Sequence, residues 1–409
     1  MVDLLECTVM PYAWGSRTAI ADFTGQRSPS KEPQAELWMG AHPMAPSHLS
    51  RAGAKRSLVD VIAEGASREL GEEVSAAYGA RLPFLLKVLA AEQPLSLQAH
   101  PSAERAKAGF EEEDRRGIPR DAPTRSYRDS SHKPELLCAL VPVDALCGFR
   151  EIAETLTLFD ELGVRELEPI LAALRASPDA NGLSAVFATL MRLPTVDAAR
   201  VVAATVAACN GRSTSFGREL AWAVKLSALY PGDIGIVSAL LLNLVSLEPG
   251  EALYLDAGNL HAYLSGVGVE IMASSDNVLR GGLTKKHVDV AELLRVLDFS
   301  DGPVHPIRAR AIDAHERVWD TPAREFRLSA IDVPGSAAVA RDVRGPEILL
   351  CSAGAVTVTA EDGSPPIALT RGAPAFVPAS TGRYTLARST QQKAGETGAS
   401  VYRAAVNLT

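Results

Sequence analysis

The hydrophobic periodicity of this chain changes twice, and this limits the folds that it can adopt. From about Glu151 to Leu242, apolar residues recur at helical spacing, as in IAETLTLFDEL and DAARVVAATVAA. On both sides the apolar runs are short and turn residues are frequent, which indicates β structure with some helix near residues 57–78. We therefore predict a mainly β protein with an α-helical insertion, because helices and strands require different periods.

The predicted domain boundaries follow these changes. We expect a catalytic domain from residues 1–150 and 243–309, an inserted helical domain at 151–242 and a C-terminal jelly-roll domain at 310–409. A ProGly turn followed by a strand, LEPGEALYL, and a similar C-terminal unit, LTRGAPAFVPA, predict two β-barrels of the cupin or jelly-roll type. The second unit lacks a histidine, and its motifs contain no cluster of titratable residues, so we expect it to have a packing role.

Composition excludes several classes of function. The net charge is -8 and no basic block is present, which argues against a nucleic-acid partner. The first residues do not follow a signal-peptide pattern, and no apolar stretch is long enough to span a bilayer. The 5 cysteines are scattered and include no CxxC pair, as expected of reduced thiols. We expect a cytoplasmic monomer without a membrane partner.

Three polar side chains share one face of a predicted strand. Ser96, Gln98 and His100 are two residues apart, whereas Leu97 and Ala99 point to the opposite face. If the polar face looks into a barrel, its groups need a partner, and a metal ion is one such partner. The pattern alone also fits an exposed strand face that carries a histidine by chance.

Two further residues complete a candidate metal site. Glu135 follows Pro134 and opens an apolar run, where a carboxylate requires a partner. His261 lies just beyond the strand that follows the ProGly turn. Together with Gln98 and His100 they form a mixed nitrogen and oxygen donor set that suits a divalent ion such as Zn²⁺, with a position left for water or substrate. Two histidines and a carboxylate also describe a non-haem iron centre.

An ordered set of motifs resembles the type I mannose-6-phosphate isomerases. They are PYAWG at 11–15, AELWMGAHP at 35–43, PFLLKVL at 83–89, LSLQAHP at 95–101, HKPE at 132–135, AGNLHAYL at 257–264 and GVEIMASSDNVLRGGLT at 268–284. The resemblance implies a cupin-type enzyme with one Zn²⁺ per chain, held by Gln98, His100, Glu135 and His261. It also implies the interconversion of D-mannose 6-phosphate and D-fructose 6-phosphate. The chain departs from the pattern at Lys285, where many relatives have proline, so the shape of that loop is left open.

The isomerisation moves a proton between C1 and C2 and develops an enediolate oxyanion, so it needs an acid or base and a source of positive charge. The candidates for the catalytic role are Arg280, Lys133, Glu270 and Asp276, and the sequence does not choose the base among them. The residues predicted to contact the substrate and its phosphate are Lys87, Ser96, Lys286, Trp14 and Glu36. For Trp14 and Trp38, a place in the hydrophobic core is the more common role.

The remaining histidines are expected to have no part in catalysis. His42 is a weaker candidate that we interpret as a loop histidine. We interpret His132 and His287 as exposed, His305 and His315 as structural, and His48 as a residue without a role in the site. Two other functions stay open at this point: an iron-dependent cupin oxygenase and a non-catalytic sugar-binding cupin. Metal analysis combined with an oxygen-consumption assay would separate the oxygenase from the isomerase.

Overall fold

The computed structural model of the protein describes residues 1–335, 337–391 and 398–408, and shows a mixed fold of sheets and helices. The elements before the helical segment are β1 (Asp3–Leu4), β2 (Thr8–Met10), α1 (Ala19–Phe23), β3 (Glu36–Met39), β4 (His48–Arg51), β5 (Ala54–Ser57), α2 (Leu58–Glu64), α3 (Ala66–Leu70), α4 (Glu72–Tyr78), β6 (Phe84–Ala91), β7 (Leu97–Ala99), α5 (Ala103–Arg115), β8 (Glu135–Ala139) and β9 (Val143–Phe149).

The predicted helical segment is present. Its helices are α6 (Ile152–Leu162), α7 (Glu168–Ala176), α8 (Ala180–Met191), α9 (Thr195–Cys209), α10 (Gly217–Leu229) and α11 (Gly235–Ala239). Local signals explain several of their ends. Gly163 adopts a left-handed conformation with φ of 61° and ends α6. The carboxylate of Asp179 accepts hydrogen bonds from the first free amides of α8.

The chain then returns to β structure. The elements that follow are β10 (Leu242–Leu247), β11 (Glu251–Leu255), β12 (His261–Ala273), β13 (Leu279–Gly282), α12 (Val290–Val296) and β14 (Ile307–Arg308). The last strands are β15 (Arg310–Ala311), β16 (Glu316–Trp319), β17 (Arg327–Pro334), β18 (Val339–Asp342), β19 (Glu347–Ala353), β20 (Ala355–Ala360), β21 (Ile367–Thr370), β22 (Pro374–Val377), β23 (Arg383–Arg388) and β24 (Gly398–Ala405).

The first sheet joins strands from both sides of the helical segment. It has 11 strands, and the long strand β12 pairs with β6, β7, β8 and β9. Strands β9 and β10, which flank the helices, pair with each other from Phe149 opposite Leu242 to Val143 opposite Leu247. The helices pack their apolar faces onto this sheet, in one hydrophobic cluster that includes Leu97 and Ala99 of β7. The helical segment therefore covers the back of the strand that carries Gln98.

The last part of the chain forms two further sheets. A 7-stranded sheet has the order β1-β22-β19-β24-β17-β16-β15, and a 4-stranded sheet has the order β18-β23-β20-β21. Residues of both, such as Leu349 and Leu386, share one apolar core. The opposite face of the larger sheet, including Leu328 and Phe376, packs with residues of the first sheet in another cluster. The N-terminal strand β1 belongs to this larger C-terminal sheet through its pairing with β22.

One helix differs from the sequence-based expectation. Helix α5 lies in a region predicted to be mostly β, where its sequence, AERAKAGFEEEDR, contains too few apolar residues to show a clear helical period. Its N-cap Ser102, which accepts a hydrogen bond from the Arg105 amide, is the local signal that marks its start.

Within the described ranges, no helix combines the length and the apolar character needed to cross a membrane.

Candidate metal centre

Neighbouring strands of the first sheet bring the predicted metal ligands together. His261 opens β12 and lies opposite Gln98 of β7. His100 follows β7 directly, and Glu135 opens β8, where it pairs with Met272 of β12. The alternation of side chains along β7 then directs Gln98 away from the helices and towards His261.

The donor atoms converge on one small volume. His100 Nε2 lies 3.4 Å from Glu135 Oε1, and His261 Nε2 lies 3.5 Å from Glu135 Oε2. One ligand atom from each of these three residues falls within 4.8 Å of the others, and all three residues are buried. The amide group of Gln98 lies 3.3 Å from His261 Nε2. A rotation of the side-chain amide of Gln98 by about 180° exchanges its nitrogen and oxygen atoms, so Gln98 can offer its oxygen to a metal ion at this position.

Backbone carbonyl groups orient both imidazole rings. His100 Nδ1 lies 2.6 Å from the carbonyl oxygen of Asn277, and His261 Nδ1 lies 3.0 Å from that of Asn259. A carbonyl oxygen only accepts hydrogen bonds, so Nδ1 carries the proton in each ring and Nε2 keeps a free lone pair. Such an outer partner is typical of histidines that bind metal ions.

The unsatisfied atoms of the centre fit a cation. Within the described part of the chain, His100 Nε2 and Glu135 Oε2 are buried and have no hydrogen-bond partner. Leaving such atoms buried without a partner is costly. A divalent ion bound by these atoms would remove that cost, and a donor set of imidazole nitrogen and carboxylate oxygen is one that Zn²⁺ accepts.

Electrostatics keep the centre in the protonation state that a metal requires. Burial lowers the pKa of His100 to about 4, so the ring is neutral at physiological pH. Burial alone would raise the pKa of Glu135, but Lys133 and the two histidines outweigh it and hold that pKa well below its usual value. Lys133 Nζ lies 2.8 Å from Glu135 Oε1. Neutral imidazoles and an ionised carboxylate are the forms that bind metal ions.

A cavity of about 470 Å³ opens beside this centre. The predicted site residues that line it are Trp14, Glu36, Lys87, Ser96, Gln98, Lys133, Glu135, Glu270, Asp276, Arg280 and Lys286. His100 and His261 have no exposed surface and lie behind this wall. The structure thus brings all the residues predicted for the site to one cavity or to its metal centre.

A buried group of charges occupies one wall of the cavity. Lys87 of β6 faces Glu270 of β12, and its Nζ lies 3.0 Å from Glu270 Oε2 and 3.6 Å from Glu36 Oε1. The indole N–H of Trp38 donates to Glu36 Oε2 at 2.7 Å. Burial alone would lower the pKa of Lys87, but Glu270 and Glu36 outweigh it and raise that pKa. Burial raises the pKa of Glu270, and the nearby carboxylates of Glu135 and Glu36 act in the same direction.

His42 occupies a more central position than a surface loop residue. It is buried, its ring packs edge-on against Trp38 at 4.9 Å between centroids, and its Nε2 lies 3.4 Å from Asp276 Oδ1. Burial would raise the pKa of Asp276, but the contact with His42 and the charges of Lys133 and Arg128 together outweigh it and lower that pKa. The backbone amide of Asp276 donates to Asp129 Oδ2 at 2.8 Å. The interpretation of His42 as a loop histidine without a role therefore missed a residue of the cavity wall.

Three cations that form no ion pair within the described ranges, Arg128, Arg280 and Lys286, also line the cavity. Arg280 of β13 pairs with Gln98 of β7, which sets it beside the metal centre. Burial and the charge of Arg128 lower the pKa of Arg280, and burial, Arg280 and Arg128 lower that of Lys286. Within the described ranges, none of the three forms an ion pair. Three neighbouring positive charges in a partly buried cavity are suited to bind an anion.

Sequence reasoning missed Arg128. It lies in SYRDS, outside the family motifs and outside any regular element, so no local pattern indicates its role. Its backbone amide donates to Asn277 Oδ1 at 2.7 Å, which ties the loop to the residue after Asp276. His42, in contrast, stands in the AELWMGAHP motif, and that membership was an available signal.

Two other histidine predictions have different outcomes. His287 is exposed, as expected. The prediction that His132 is exposed is wrong, because it is partly buried and its Nε2 lies 2.7 Å from Glu325 Oε1. Glu325 is 193 positions away in the sequence, so the partner that covers His132 was not readable from the local pattern.

Comparison with known proteins gives a consistent result. Residues 2–152 match the family described as phosphomannose isomerase type I, catalytic domain. The chain is 39% identical over 381 residues to the mannose-6-phosphate isomerase of Escherichia coli (strain K12), covering 93% of this chain and 95% of the relative. It is 34% identical over 407 residues to the human mannose-6-phosphate isomerase, covering 91% and 92%. A crystal structure of the Salmonella typhimurium mannose 6-phosphate isomerase bound to its substrate and zinc superposes with a TM-score of 0.90 at 35% identity, covering 100% of both chains.

Proposed function

The chain belongs to the mannose-6-phosphate isomerase family, and from this premise we propose that it interconverts D-mannose 6-phosphate and D-fructose 6-phosphate with the help of one zinc ion. The observation that carries the proposal is the convergence of His100, Glu135 and His261 beside a cavity lined with unpaired cations. An aldose–ketose isomerase needs these two elements together: a Lewis acid for the oxyanion and positive charge for the phosphate.

We propose His100, Glu135, His261 and Gln98 as the residues that hold the zinc ion. The buried, unpartnered Nε2 of His100 and Oε2 of Glu135, and the carbonyl groups that orient both imidazole rings, support this assignment. When bound there, zinc would supply a Lewis acid that stabilises the enediolate oxyanion without a change of redox state. Lys133, whose Nζ lies 2.8 Å from Glu135 Oε1, helps to keep this carboxylate ionised and would lie near the reacting end of the substrate.

The phosphate is proposed to bind to Arg128, Arg280 and Lys286, with Ser96 as a further hydrogen-bond donor. Arginine offers planar donors that match phosphate oxygens, and the three cations lack carboxylate partners within the described ranges. Trp14 and Glu36 would form the wall of the sugar subsite, and Lys87 would donate to a sugar hydroxyl group.

Among the candidates for the catalytic base, Asp276 has the strongest structural support. Its side chain is partly open to the cavity and ionised, whereas Glu270 is buried against Lys87. The next residue, Asn277, binds His100 Nδ1 through its carbonyl group, so the backbone of Asp276 is tied to the metal centre. We propose that Asp276, oriented by His42, moves the proton between C1 and C2, while Arg280 stabilises the developing negative charge.

We also propose a domain division. Residues 1–150 and 243–309 would form a catalytic domain of the cupin type, 151–242 an inserted helical domain, and 310–409 a C-terminal jelly-roll domain. The sheet shared by strands from both sides of the helices supports the first two units. The apolar core between the two C-terminal sheets supports the third. A monomeric state, a cytoplasmic location and the absence of a nucleic-acid partner stay predictions.

A coupled isomerase assay tests this function. Zinc-loaded protein should convert mannose 6-phosphate to fructose 6-phosphate, lose the activity after treatment with a chelator, and regain it when zinc is restored. An oxygen electrode in the same experiment addresses the iron-dependent oxygenase, which shares the histidine and carboxylate ligands. Oxygen consumption with sugar substrates, or full activity after verified metal removal, would contradict the proposal. Zinc binding without any isomerase activity would favour the non-catalytic sugar-binding alternative.

A further inference from the structure

A second cavity lies in the C-terminal sheets. It has a volume of about 240 Å³ and is lined by residues of β16, β17, β18, β19 and β24 and of the loops next to them. Its charged lining consists of three arginines and three carboxylates: Arg327, Arg344, Arg403, Glu316, Asp342 and Glu347. Among the described residues, none lines both this cavity and the one beside the metal centre. These charges are dispersed over five strands and a loop, which explains why no C-terminal motif revealed a titratable cluster.

The floor of this cavity is a closed network of charges. Arg403 of β24 bridges the buried carboxylates of Glu316 and Glu347. Arg341 Nε lies 2.7 Å from Glu316 Oε2, and the Tyr384 hydroxyl donates to Glu347 Oε2 at 3.0 Å. Each floor carboxylate therefore has its own positive or hydrogen-bonding partners, and the floor does not repel an anion strongly.

The mouth of the cavity carries two arginines beside the exposed carboxylate of Asp342. Arg344 is exposed and Arg327 is half-buried, and neither forms an ion pair or side-chain hydrogen bond within the described ranges. The acidic residues nearby are already engaged. Asp342 lies 3.3 Å from Arg383, and Arg310 holds Asp320 through two hydrogen bonds of 2.8 and 2.9 Å. Other surface arginines of this half of the chain, such as Arg310 and Arg317, have carboxylate partners.

The guanidinium of Arg403 adds a buried donor to this arrangement. Its Nε is buried and lacks a hydrogen-bond partner within the described ranges. A buried donor without an acceptor carries a free-energy cost, and an oxygen atom of a ligand or a water molecule would satisfy it. The cavity thus combines one unsatisfied donor on its floor with two free arginines at its mouth.

We propose that this cavity binds a phosphate dianion, either free or as a small monoester, at a site separate from the catalytic one. Arginine guanidinium groups recognise phosphate through paired N–H donors, and the mouth supplies two of them. The volume is below that of pockets for drug-sized ligands, so a nucleotide would not fit inside and a small phosphate compound would. This inference goes beyond the proposed isomerase function and does not depend on it.

Equilibrium dialysis of the zinc-loaded protein against radiolabelled inorganic phosphate tests the proposal. The wild-type chain should bind two phosphates, one at each cavity. The double variant Arg327→Gln/Arg344→Gln should bind one, with affinity at the C-terminal site weakened about tenfold or more per arginine removed and kcat/KM unchanged. Both arginines are unpaired, so the variant should fold normally. Arg371→Gln, which changes an exposed arginine outside the cavity, is the matched control and should bind two.

A variant of the catalytic cavity separates this inference from the proposed function. Arg280→Ala should lose the catalytic phosphate and keep the C-terminal one. Two results would overturn the second site. One is that the Arg327→Gln/Arg344→Gln variant still binds two phosphates. The other is that Arg280→Ala abolishes all of the phosphate binding seen in the wild type. If the wild type binds a single phosphate that Arg280→Ala keeps and Arg327→Gln/Arg344→Gln loses, the phosphate site in the catalytic cavity fails while the second site stands. Displacement of the label by glycerol 3-phosphate in Arg280→Ala would identify a monoester ligand, and its absence would identify the free anion.

Discussion

Replacement of Lys87 by methionine tests the buried charge cluster directly. Methionine keeps most of the length of the side chain but removes the ammonium group that lies 3.0 Å from Glu270 and 3.6 Å from Glu36. Removal of one partner from a buried ion pair typically costs about 3–5 kcal/mol, because the remaining charge has lost its compensation. Protonation of Glu270 removes part of this cost, so we expect the free energy of unfolding to fall by an amount near the lower limit, about 3 kcal/mol at pH 7.

The pH dependence of this loss identifies its cause. In the Lys87→Met chain, Glu270 keeps a pKa above that of the unfolded state, so the native state binds a proton that the unfolded chain releases. The stability of the variant should then fall as pH rises above the ordinary glutamate pKa, by up to about 1.4 kcal/mol per pH unit. The difference in the free energy of unfolding between the wild type and the variant should be small near pH 5 and largest near pH 7. Urea denaturation of the zinc-loaded proteins at several pH values measures it.

A second variant provides the control for this experiment. Lys87→Met/Glu270→Gln removes the uncompensated charge and should recover about 2 kcal/mol of the stability that Lys87→Met loses at pH 7. Both variants should lack activity, since Lys87 is proposed to contact the substrate, so stability is the measurement that distinguishes them. A deficit below about 1 kcal/mol that does not change between pH 5 and 7 would refute the coupling of Lys87 with Glu270.

Four further predictions concern the site and its surroundings. His261→Ala should retain almost no zinc by metal analysis, since three protein ligands are the minimum for a tight open site; full occupancy would exclude His261 as a ligand. Asp276→Asn should keep its zinc but lower kcat by about a hundredfold or more, as expected for loss of an acid or base, and a normal kcat would exclude it as the base. Arg128→Ala should lower kcat/KM for mannose 6-phosphate by at least about tenfold, whereas Arg120→Ala, outside the catalytic cavity, should leave it unchanged. The pKa of His132 is raised chiefly by its hydrogen bond to a carboxylate, so protonated His132 stabilises the folded state. This contribution should be complete below the ordinary histidine pKa of about 6.5 and should disappear as pH rises through the higher pKa of the folded state. Thermal unfolding of the wild type and of His132→Gln at several pH values measures it.

The sequence predicted those parts of the site that depend on strand periodicity. The parity of Gln98 and His100 placed both near one face, and the buried position of Glu135 indicated a carboxylate that needs a partner. These inferences use only the alternation of side chains and the cost of burying charge. The structure places His100 and Glu135 with His261 around one volume, which the long spacings between them in the sequence could not establish.

The remaining features depend on contacts between residues far apart in the sequence. Arg128 reaches the cavity because its loop is held by a hydrogen bond to Asn277, and no sequence pattern within the loop indicates that contact. Arg403 joins Glu316 and Glu347 only after strands from different parts of the C-terminal sheets have paired. Helix α5 was missed for a different reason, since its mostly charged sequence lacks the apolar repeat on which helix prediction depends.

The pairing of β9 with β10 has a consequence for the order in which the protein folds. Phe149 and Leu242 meet as neighbours although the whole helical segment lies between them. Closing a disordered loop of that length costs about 4 kcal/mol of chain entropy, taken as (3/2)RT ln n. If the helices collapse first, through contacts that are mostly local, they bring the two strand ends together and most of that entropic barrier is removed. The helical segment would then act as a folding nucleus for the sheet, and the metal centre, whose ligands come from both sides of it, would form last.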